Sequence, residues 1–314
     1  MTDEKILMHE AATLYYEKNK TQQEIAQILQ LSRQTVSKLL GDAIDEKLVE
    51  IIIHDPRKDC EDLAARICQA FGIKNCVICS VSGKDESLHR TMTVKTAVNY
   101  ILPVLQKGGL KIAVSWGRTI QELIHTLPET PTMGNTVFPL FGATDNEHSY
   151  FSSNEMARHL ADKLDAELKC AWFPYMPDNT DDYNLLKQLS YYKKMQGMWD
   201  TADLAIMGIG NTDILEVFGK TFGYSKTHGQ AIGDVATNFF DESGQFVDLY
   251  ENTLCATVEN IKNARESIAV ACGKDKVRAI AGALCTKMID TLITDEHTAR
   301  KVIQLQEATQ QAMR

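Results

Sequence analysis

Several apolar stretches of this 314-residue chain end in a glycine that is followed by polar or charged residues. Glycine lets the backbone approach a ligand closely, and the free amides at the start of a helix attract anions. An arginine, a threonine or a lysine beside the glycine could complete an anion site. The residues in these positions are Gly117, Arg118, Thr119, Gly142, Gly210 and Lys274. Together they predict a pocket for a phosphate or a phosphorylated sugar.

Each of these glycines has a simpler explanation, because strand-to-helix turns favour glycine for steric reasons alone. Asp234 is a candidate acceptor for sugar hydroxyls, and a cap of a helix or turn is an equally good interpretation. The run at residues 208–213 lacks the third glycine of the dinucleotide-binding motif, so no cofactor is predicted. Cys76 and Cys79 lie in an apolar run, which predicts core packing and no metal site.

The elements that would carry these loops alternate between apolar, strand-like runs and helical patterns. Strand-like runs lie at residues 76–81, 111–116, 136–141, 168–173, 204–209, 267–272 and 291–294. Helical patterns between them are clearest at residues 153–164, 183–198 and 274–288. This alternation predicts a Rossmann-like, mostly parallel α/β fold, in which ligands bind beyond the carboxyl ends of the strands.

Residues 1–55 have a different pattern, with three short helical segments. Thr21 and Glu24 form the sequence of a capping box before the second helix, and Ser32 is placed to cap the third. The predicted buried positions are Ile25, Ala26, Ile28 and Leu29 on the second helix and Val36, Leu39, Leu40 and Ala43 on the third. Residues 48–53 are β-branched and predict a strand or wing. We therefore expect a winged helix-turn-helix domain over residues 1–55 and an effector and oligomerisation domain over residues 56–314.

The third helix carries polar residues out of phase with its apolar stripe, as a DNA-reading helix requires. Glutamine and arginine can make paired hydrogen bonds to adenine and guanine, whereas serine and lysine suit phosphates or base edges. The predicted DNA contacts are Gln22, Ser32, Arg33, Gln34, Thr35, Ser37 and Lys38. Any three-helix unit also has a polar outer face, which is the alternative interpretation.

The charge balance restricts how the protein can bind nucleic acid. The net charge is −9, and residues 1–60 hold eight basic and eleven acidic residues. Residues 32–41, however, contain two bases and no acid. The charge therefore argues against non-specific coating of DNA, whereas it is compatible with local reading of an operator by residues 32–41. Neither a signal peptide nor a membrane span is evident, so a cytoplasmic protein with reduced cysteines is expected.

Six segments resemble, in the same order, the SorC family of bacterial sugar-responsive transcriptional regulators. They are residues 14–16 (LYY), 21–40 (TQQEIAQILQLSRQTVSKLL), 114–119 (VSWGRT), 202–210 (ADLAIMGIG), 232–241 (IGDVATNFFD) and 293–299 (ITDEHTA). The resemblance extends over nearly the whole chain. A helix-turn-helix alone would be unspecific, but its combination with the downstream motifs is specific.

The resemblance implies an effector domain similar to ribose-5-phosphate isomerase and glucosamine-6-phosphate deaminase, used for sensing and not for catalysis. It also implies tetramers, built as dimers of dimers, on paired operator half-sites. Asn154 matches a recurrent pocket position of the family. The deoxyribonucleoside-responsive branch has a lysine that forms a Schiff base where this chain has Phe141. A covalent imine at that position is therefore not expected.

Two functions are compatible with these features, and a third, a metal- or thiol-based redox sensor, rests only on Cys76 and Cys79. The first is a regulator of a carbohydrate-utilisation operon whose affinity for operator DNA changes when a sugar or sugar phosphate binds. The alternative is a sugar-phosphate isomerase or deaminase with an accessory helical domain. The loops above supply no complete set of acid, base and electrophile, which favours the regulator over the enzyme.

Overall fold

The computed structural model describes residues 3–50, 56–83, 85–144, 152–222 and 228–312. The chain divides into two units, Met1–Asp55 and Pro56–Arg314. Its α-helices are α1 (Asp3–Ala12), α2 (Gln22–Ile28), α3 (Arg33–Asp45), α4 (Pro56–Phe71), α5 (Glu86–Leu105), α6 (Arg118–Thr126), α7 (Ser153–Leu164), α8 (Thr180–Gln188), α9 (Ser190–Trp199), α10 (Thr212–Phe222), α11 (Val258–Asn263), α12 (Val277–Cys285) and α13 (Glu296–Ala312). Its strands are β1 (Asn75–Cys79), β2 (Lys111–Val114), β3 (Thr136–Pro139), β4 (Glu167–Leu168), β5 (Leu204–Gly208), β6 (Gly233–Val235), β7 (Asn238–Phe240), β8 (Glu266–Val270) and β9 (Thr291–Asp295).

The first unit is a helix-turn-helix, as predicted. The Thr21 hydroxyl accepts from the Glu24 amide, and the Glu24 carboxylate accepts from the Thr21 amide, which completes the capping box. Gln30 takes a positive φ of 57° and makes the turn between α2 and α3 tight. A small apolar core holds α1, α2 and α3 together. Its buried members are Met8, Ala11, Ala12, Ile25, Ala26, Val36, Leu39, Leu40 and Ala43.

Two details of this unit differ from the prediction. Ile28 was placed on the buried face but is 54% exposed. On a helix it lies about 160° around the axis from Ala26, so α2 cannot bury both. The predicted wing is not a strand at residues 48–50, where residues 48 and 49 are bends and residue 50 is irregular; residues 51–53 lie outside the described residues.

The second unit is built on a seven-stranded sheet in the order β1-β9-β8-β5-β2-β3-β4, and every neighbouring pair is parallel. The seven predicted strand-like runs correspond to these strands, which confirms the α/β fold. The central strands β5 and β9 are almost wholly buried, as expected where helices cover a parallel sheet. Helices α4, α12 and α13 pack in one consecutive set, and α5, α6 and α7 pack in another.

Three elements are shorter than the sequence predicts or are divided into two. The run at 168–173 pairs only through Glu167–Leu168, because the amide and carbonyl of Ala171 bond to the Asn154 side chain and leave the ladder. The helix predicted at 183–198 breaks at Leu189, where ψ is 136°. After this break α9 buries three large side chains, whereas every side chain of α8 stays at least partly exposed. The pattern at 274–288 begins with a 3₁₀ turn and becomes α-helical only from Val277.

A two-stranded antiparallel hairpin, β6–β7, was not predicted. Its turn residues Ala236 and Thr237 have positive φ angles of 47° and 65°, the backbone of a type I′ turn. Such turns usually carry asparagine or glycine, so the sequence lacks the ordinary signal for this hairpin. In the described ranges, none of the helices has the length and apolar character needed to cross a bilayer.

Candidate functional site

A cavity of about 340 Å³ lies at the carboxyl ends of β2, β5 and β8. The chain leaves β2 towards β3 on one side and leaves β5 towards β8 on the other, so β2 and β5 flank the point where the strand order reverses. Open α/β sheets bind ligands at this switch point, because the loops on the two sides separate there. The position of the cavity therefore follows from the order of the strands.

The loop after β2 supplies one wall of the cavity. Gly117 caps α6 with a φ of 117°, a backbone conformation that favours glycine. Arg118 and Thr119 follow in the first turn of α6 and also line the cavity. Ser115, buried at the end of the strand, accepts a hydrogen bond from the Gly208 amide at 3.3 Å and so joins this loop to β5.

The opposite wall is formed by Gly210 and Asp234. Their backbones pair as an antiparallel bridge, with the Gly210 amide 2.9 Å from the Asp234 carbonyl oxygen. A Cβ at position 210 would lie 2.0 Å from Asp234 Oδ1, so a side chain there would displace the carboxylate. Asp234 Oδ2 accepts from the Thr237 amide at 2.9 Å. Burial raises the pKa of Asp234 to about 6, although the Thr237 amide and the Lys276 ammonium oppose the rise.

Lys276 is a half-buried cation of the cavity, and the sequence analysis missed it. Its Nζ donates to the Ile209 carbonyl at 2.7 Å. Burial lowers the pKa of this ammonium; Asp275 opposes that effect and Arg118 adds to it. Lys276 stands only two residues after the predicted Lys274, and the 3₁₀ turn between them directs the two side chains differently. Lys274 is instead 68% exposed and pairs with Glu86 at 2.9 Å.

The structure brings five of the eight predicted ligand residues together and places three elsewhere. Lining the cavity are Gly117, Arg118, Thr119, Gly210 and Asp234, while Gly142, Asn154 and Lys274 lie outside its lining. Other lining residues that the sequence analysis did not name include Glu86, Arg90, Asn211, Asp213 and Asp275. These come from the first two turns of α5, from the start of α10 and the residue before it, and from the 3₁₀ turn before α12. Their ligand roles remain predictions.

Gly142 and Asn154 make close contacts within the protein. A Cβ on Gly142 would lie 2.6 Å from the backbone of Pro174 and Tyr175. Asn154 Oδ1 accepts from the Ala171 amide at 2.8 Å, and its Nδ2 donates to the Ala171 carbonyl at 3.1 Å. Phe141, the position that the resemblance compares with a Schiff-base lysine, is fully buried against Trp116 with ring centroids 4.7 Å apart.

The predicted DNA-reading helix, α3, presents its polar residues to solvent. Arg33, Gln34, Ser37 and Lys38 are exposed, and the apolar stripe between them is buried. Ser32 and Thr35 are also exposed, but they bond to each other: Thr35 donates its amide to the Ser32 hydroxyl at 3.0 Å, and the two hydroxyls lie 2.7 Å apart.

A shallow groove in this unit brings Gln22 and Arg33 together. Its other lining residues are Tyr15, Tyr16, Asn19, Lys20, Thr21 and Gln23. The rings of Tyr15 and Tyr16 stand edge to face with centroids 4.9 Å apart, and both are partly exposed. Tyrosine hydroxyls and lysine are common phosphate ligands, so these residues extend the candidate DNA surface beyond α3.

Comparisons with known proteins agree with both units. A family model described as "Putative sugar-binding domain" matches residues 55–304, and one described as "Sigma-70, region 4" matches residues 10–46. The sorbitol operon regulator of Klebsiella pneumoniae is 29% identical over 312 residues, covering 96% of this chain and 99% of that protein. The deoxyribonucleoside regulator of Bacillus subtilis (strain 168) is 27% identical over 303 residues, covering 94% and 96%. The crystal structure of the full-length Klebsiella regulator matches with a TM-score of 0.71 at 28% identity, covering 96% of this chain and 100% of that one.

A helix-turn-helix unit followed by a sugar-binding α/β domain is the organisation of a transcriptional regulator. The chain belongs to the SorC family of such regulators, which confirms the resemblance of its motifs.

Proposed function

We propose that this protein binds operator DNA through α3 and that a sugar or sugar phosphate in the cavity changes its affinity for that DNA. The cavity at the β2–β5 switch point carries this proposal. It combines the amides at the start of α6 and the half-buried Lys276 ammonium with the carboxylates of Asp234 and Asp275. Amides and ammonium suit an anionic group, and carboxylates accept hydrogen bonds from sugar hydroxyls.

The ligand half of the proposal is tested by thermal unfolding against a panel of sugars and sugar phosphates. A ligand present at 100 times its dissociation constant stabilises the folded state by about 2.7 kcal/mol. The same ligand should then alter binding to DNA selected by this protein from a random pool. A panel in which no sugar or sugar phosphate raises the unfolding temperature would contradict a sugar effector.

The DNA half is tested with Arg33→Ala and Gln34→Ala on the selected DNA. Each should weaken specific binding by about 1 to 3 kcal/mol if the side chain reads a base. Lys194→Ala, which removes an exposed cation from the other unit, is the control for charge alone. Unchanged binding by both α3 variants would exclude α3 as the reading helix.

We further propose that the protein acts in the cytoplasm as a homo-oligomer, a tetramer made of two dimers. The net charge of −9 supports the oligomer. A single helix-turn-helix on an acidic protein binds DNA weakly, whereas several on one operator bind it well. Light scattering after size exclusion measures the mass of the assembly with and without DNA. A monomer on the selected DNA would contradict this proposal.

The cavity is proposed to sense its ligand without converting it. Ribose 5-phosphate and glucosamine 6-phosphate, incubated with the purified protein and followed by NMR, should remain unchanged. Turnover of either compound, abolished in Asp234→Asn, would instead establish the enzyme.

A further inference from the structure

The motif at residues 293–299 has no part in the cavity lining, yet it carries a buried ion pair. His89, in the first turn of α5, is 8% exposed, and Asp295 at the end of β9 is 1% exposed. His89 Nδ1 lies 2.9 Å from Asp295 Oδ1. On the other side of the ring, Nε2 lies 3.1 Å from the Gly83 carbonyl oxygen. Both ring nitrogens therefore face an oxygen that accepts hydrogen bonds and cannot donate them. This is always true of the Gly83 carbonyl, and it is true of the Asp295 carboxylate when it is ionised.

This geometry selects one charge state of the imidazole. A neutral histidine has one N–H and one lone pair, so either tautomer would direct a lone pair at the Asp295 carboxylate or at the Gly83 carbonyl. The imidazolium donates from both nitrogens and satisfies both acceptors. The contacts on the two sides of the ring are thus those of protonated His89.

The surrounding charges favour the same state. Burial alone lowers the pKa of His89, but the bonds to Asp295 and to the Gly83 carbonyl, with the charge of Asp85, raise it above its ordinary value. Other groups facing the pair are the His297 ring, 6.1 Å from that of His89, and the thiols of Cys79 and Cys272, whose pKa values burial raises. On α5 itself, Glu86 pairs with Lys274, and Arg90 pairs with Glu122.

The ion pair connects two parts of the cavity wall. Asp295 Oδ2 accepts from the Thr298 hydroxyl at 2.5 Å, and the oxygen of that hydroxyl accepts from the Gly273 amide at 2.9 Å. Gly273 lines the cavity. On the same helix as His89, Glu86 and Arg90 line it as well. A continuous chain of hydrogen bonds therefore runs from the start of α5 to the loop before α12.

We propose that protonated His89 is a positioning residue, and that its proton holds the start of α5 and the Gly273 loop in the arrangement that frames the cavity. When His89 loses the proton, Gly83 or Asp295 loses its donor and both parts of the wall become less ordered. Binding at the cavity is then weaker at high pH than at low pH. This last consequence rests on the proposed function of the cavity, whereas the ordering by the proton does not.

The first experiment measures the proton and the order of the wall in the full-length protein. Nitrogen-15 spectra of labelled histidines, with His89 assigned by its loss in His89→Gln, should show both nitrogens protonated at pH 7. Hydrogen exchange at residues 86–92 and 271–277, corrected for intrinsic rates, should accelerate about tenfold from pH 6 to pH 9. His89→Gln should exchange fast at both pH values, and His297→Gln, which removes the neighbouring exposed ring, should behave as wild type.

A neutral His89 at pH 6, or the same exchange profile in wild type and His89→Gln, would overturn the proposal. Hydrogen exchange also distinguishes the network from a purely structural role, since a structural role would not change with pH.

The second experiment uses sulfate as the anion, because sulfate keeps one charge state over this pH range. Ionisation of Asp234 weakens anion binding over this range in both proteins, so affinity should fall about tenfold more in wild type than in His89→Gln between pH 6 and pH 8.5. An equal fall in the two proteins would overturn the link to the cavity. Absence of sulfate binding, with the exchange difference intact, would count against the anion site of the proposed function and would leave the His89 network supported.

Discussion

The loop after β5 and the loop after β3 look alike in the sequence, but they serve different purposes in the structure. Both place a glycine after an apolar strand. Gly210 is required because the Asp234 carboxylate lies against it at the cavity wall, whereas Gly142 is required because the backbone of Pro174 and Tyr175 crosses it. A glycine after a strand therefore indicates that another group of the protein approaches its backbone closely. The identity of that group, a carboxylate or a backbone segment, determines whether the site can bind a ligand.

Substituting the two glycines gives the largest expected difference. Gly142→Ala places a Cβ 2.6 Å from peptide atoms that cannot rotate away, so it should destabilise folding by about 3 kcal/mol. Gly210→Ala meets the side chains of Asp234 and Ile214, which can move. It should therefore cost less stability but reduce ligand affinity about tenfold, as expected when a charged hydrogen-bond acceptor is displaced. Urea unfolding and ligand titration of both variants measure the two effects, and the reverse ranking of stabilities would contradict the comparison.

Asp234 should make the cavity wall sensitive to pH. Its pKa is about 6 in the folded protein, compared with about 3.9 in an unfolded chain, so the unfolded state ionises first as pH rises. Stability from this group is present below about pH 4 and is lost towards pH 6, a change of about 2 to 3 kcal/mol. Urea unfolding from pH 4 to pH 6 should show this loss in wild type and not in Asp234→Asn. A parallel profile in the variant would show that another group titrates.

The two neighbouring lysines test which cation the ligand meets. Lys276→Met removes the half-buried ammonium and should reduce affinity for an anionic ligand at least tenfold, about 1.5 to 3 kcal/mol. Lys274→Met removes an exposed ion pair with Glu86 that solvent screens, and this variant should bind ligand as wild type does. Calorimetric titration with the effector compares the two variants directly. A larger loss in Lys274→Met would restore Lys274 as the ligand residue.

Asn154 lies near the loop after β3, and its substitution has the smallest expected effect of these variants. Asn154→Ala leaves the amide and carbonyl of Ala171 without their partners and should destabilise folding by about 1 to 2 kcal/mol. Ligand affinity of the folded protein should not change, because Asn154 lies outside the cavity lining. A loss of affinity at unchanged stability would instead make Asn154 a ligand contact.

Hydrophobic period and capping residues were sufficient to predict the helix-turn-helix and the α/β alternation. Thr21, Glu24 and Ser32 act through neighbours three residues away, so local sequence contains the whole interaction. Local sequence did not predict which loops meet at the cavity, because the order of the strands in the sheet decides which loops are neighbours. The hairpin that presents Asp234 was missed, since Ala236 and Thr237 adopt a turn that neither residue type favours.

The difference between local sequence and tertiary structure also explains why Lys274 was predicted as a ligand residue and Lys276 was not. Lys274 and Lys276 both follow a glycine after a strand, and spacing alone does not separate them. A short 3₁₀ turn sets the direction of each side chain, and it follows Gly273, whose amide donates to the hydroxyl of the distant Thr298. Two lysines at positions that a motif treats as equivalent can thus differ in burial and in the partners of their ammonium groups.

The two-residue strand β4 has a consequence for behaviour at high concentration. It forms one edge of the sheet, and an exposed edge with unpaired amides and carbonyls is a template on which other chains can add strands. Here the edge consists of Glu167 and Leu168, with Glu167 in an ion pair with Lys169. Beyond it, the Asn154 side chain occupies the peptide groups of Ala171 that would otherwise extend the edge. This side of the sheet is therefore protected against amyloid-like association by its shortness and its charge.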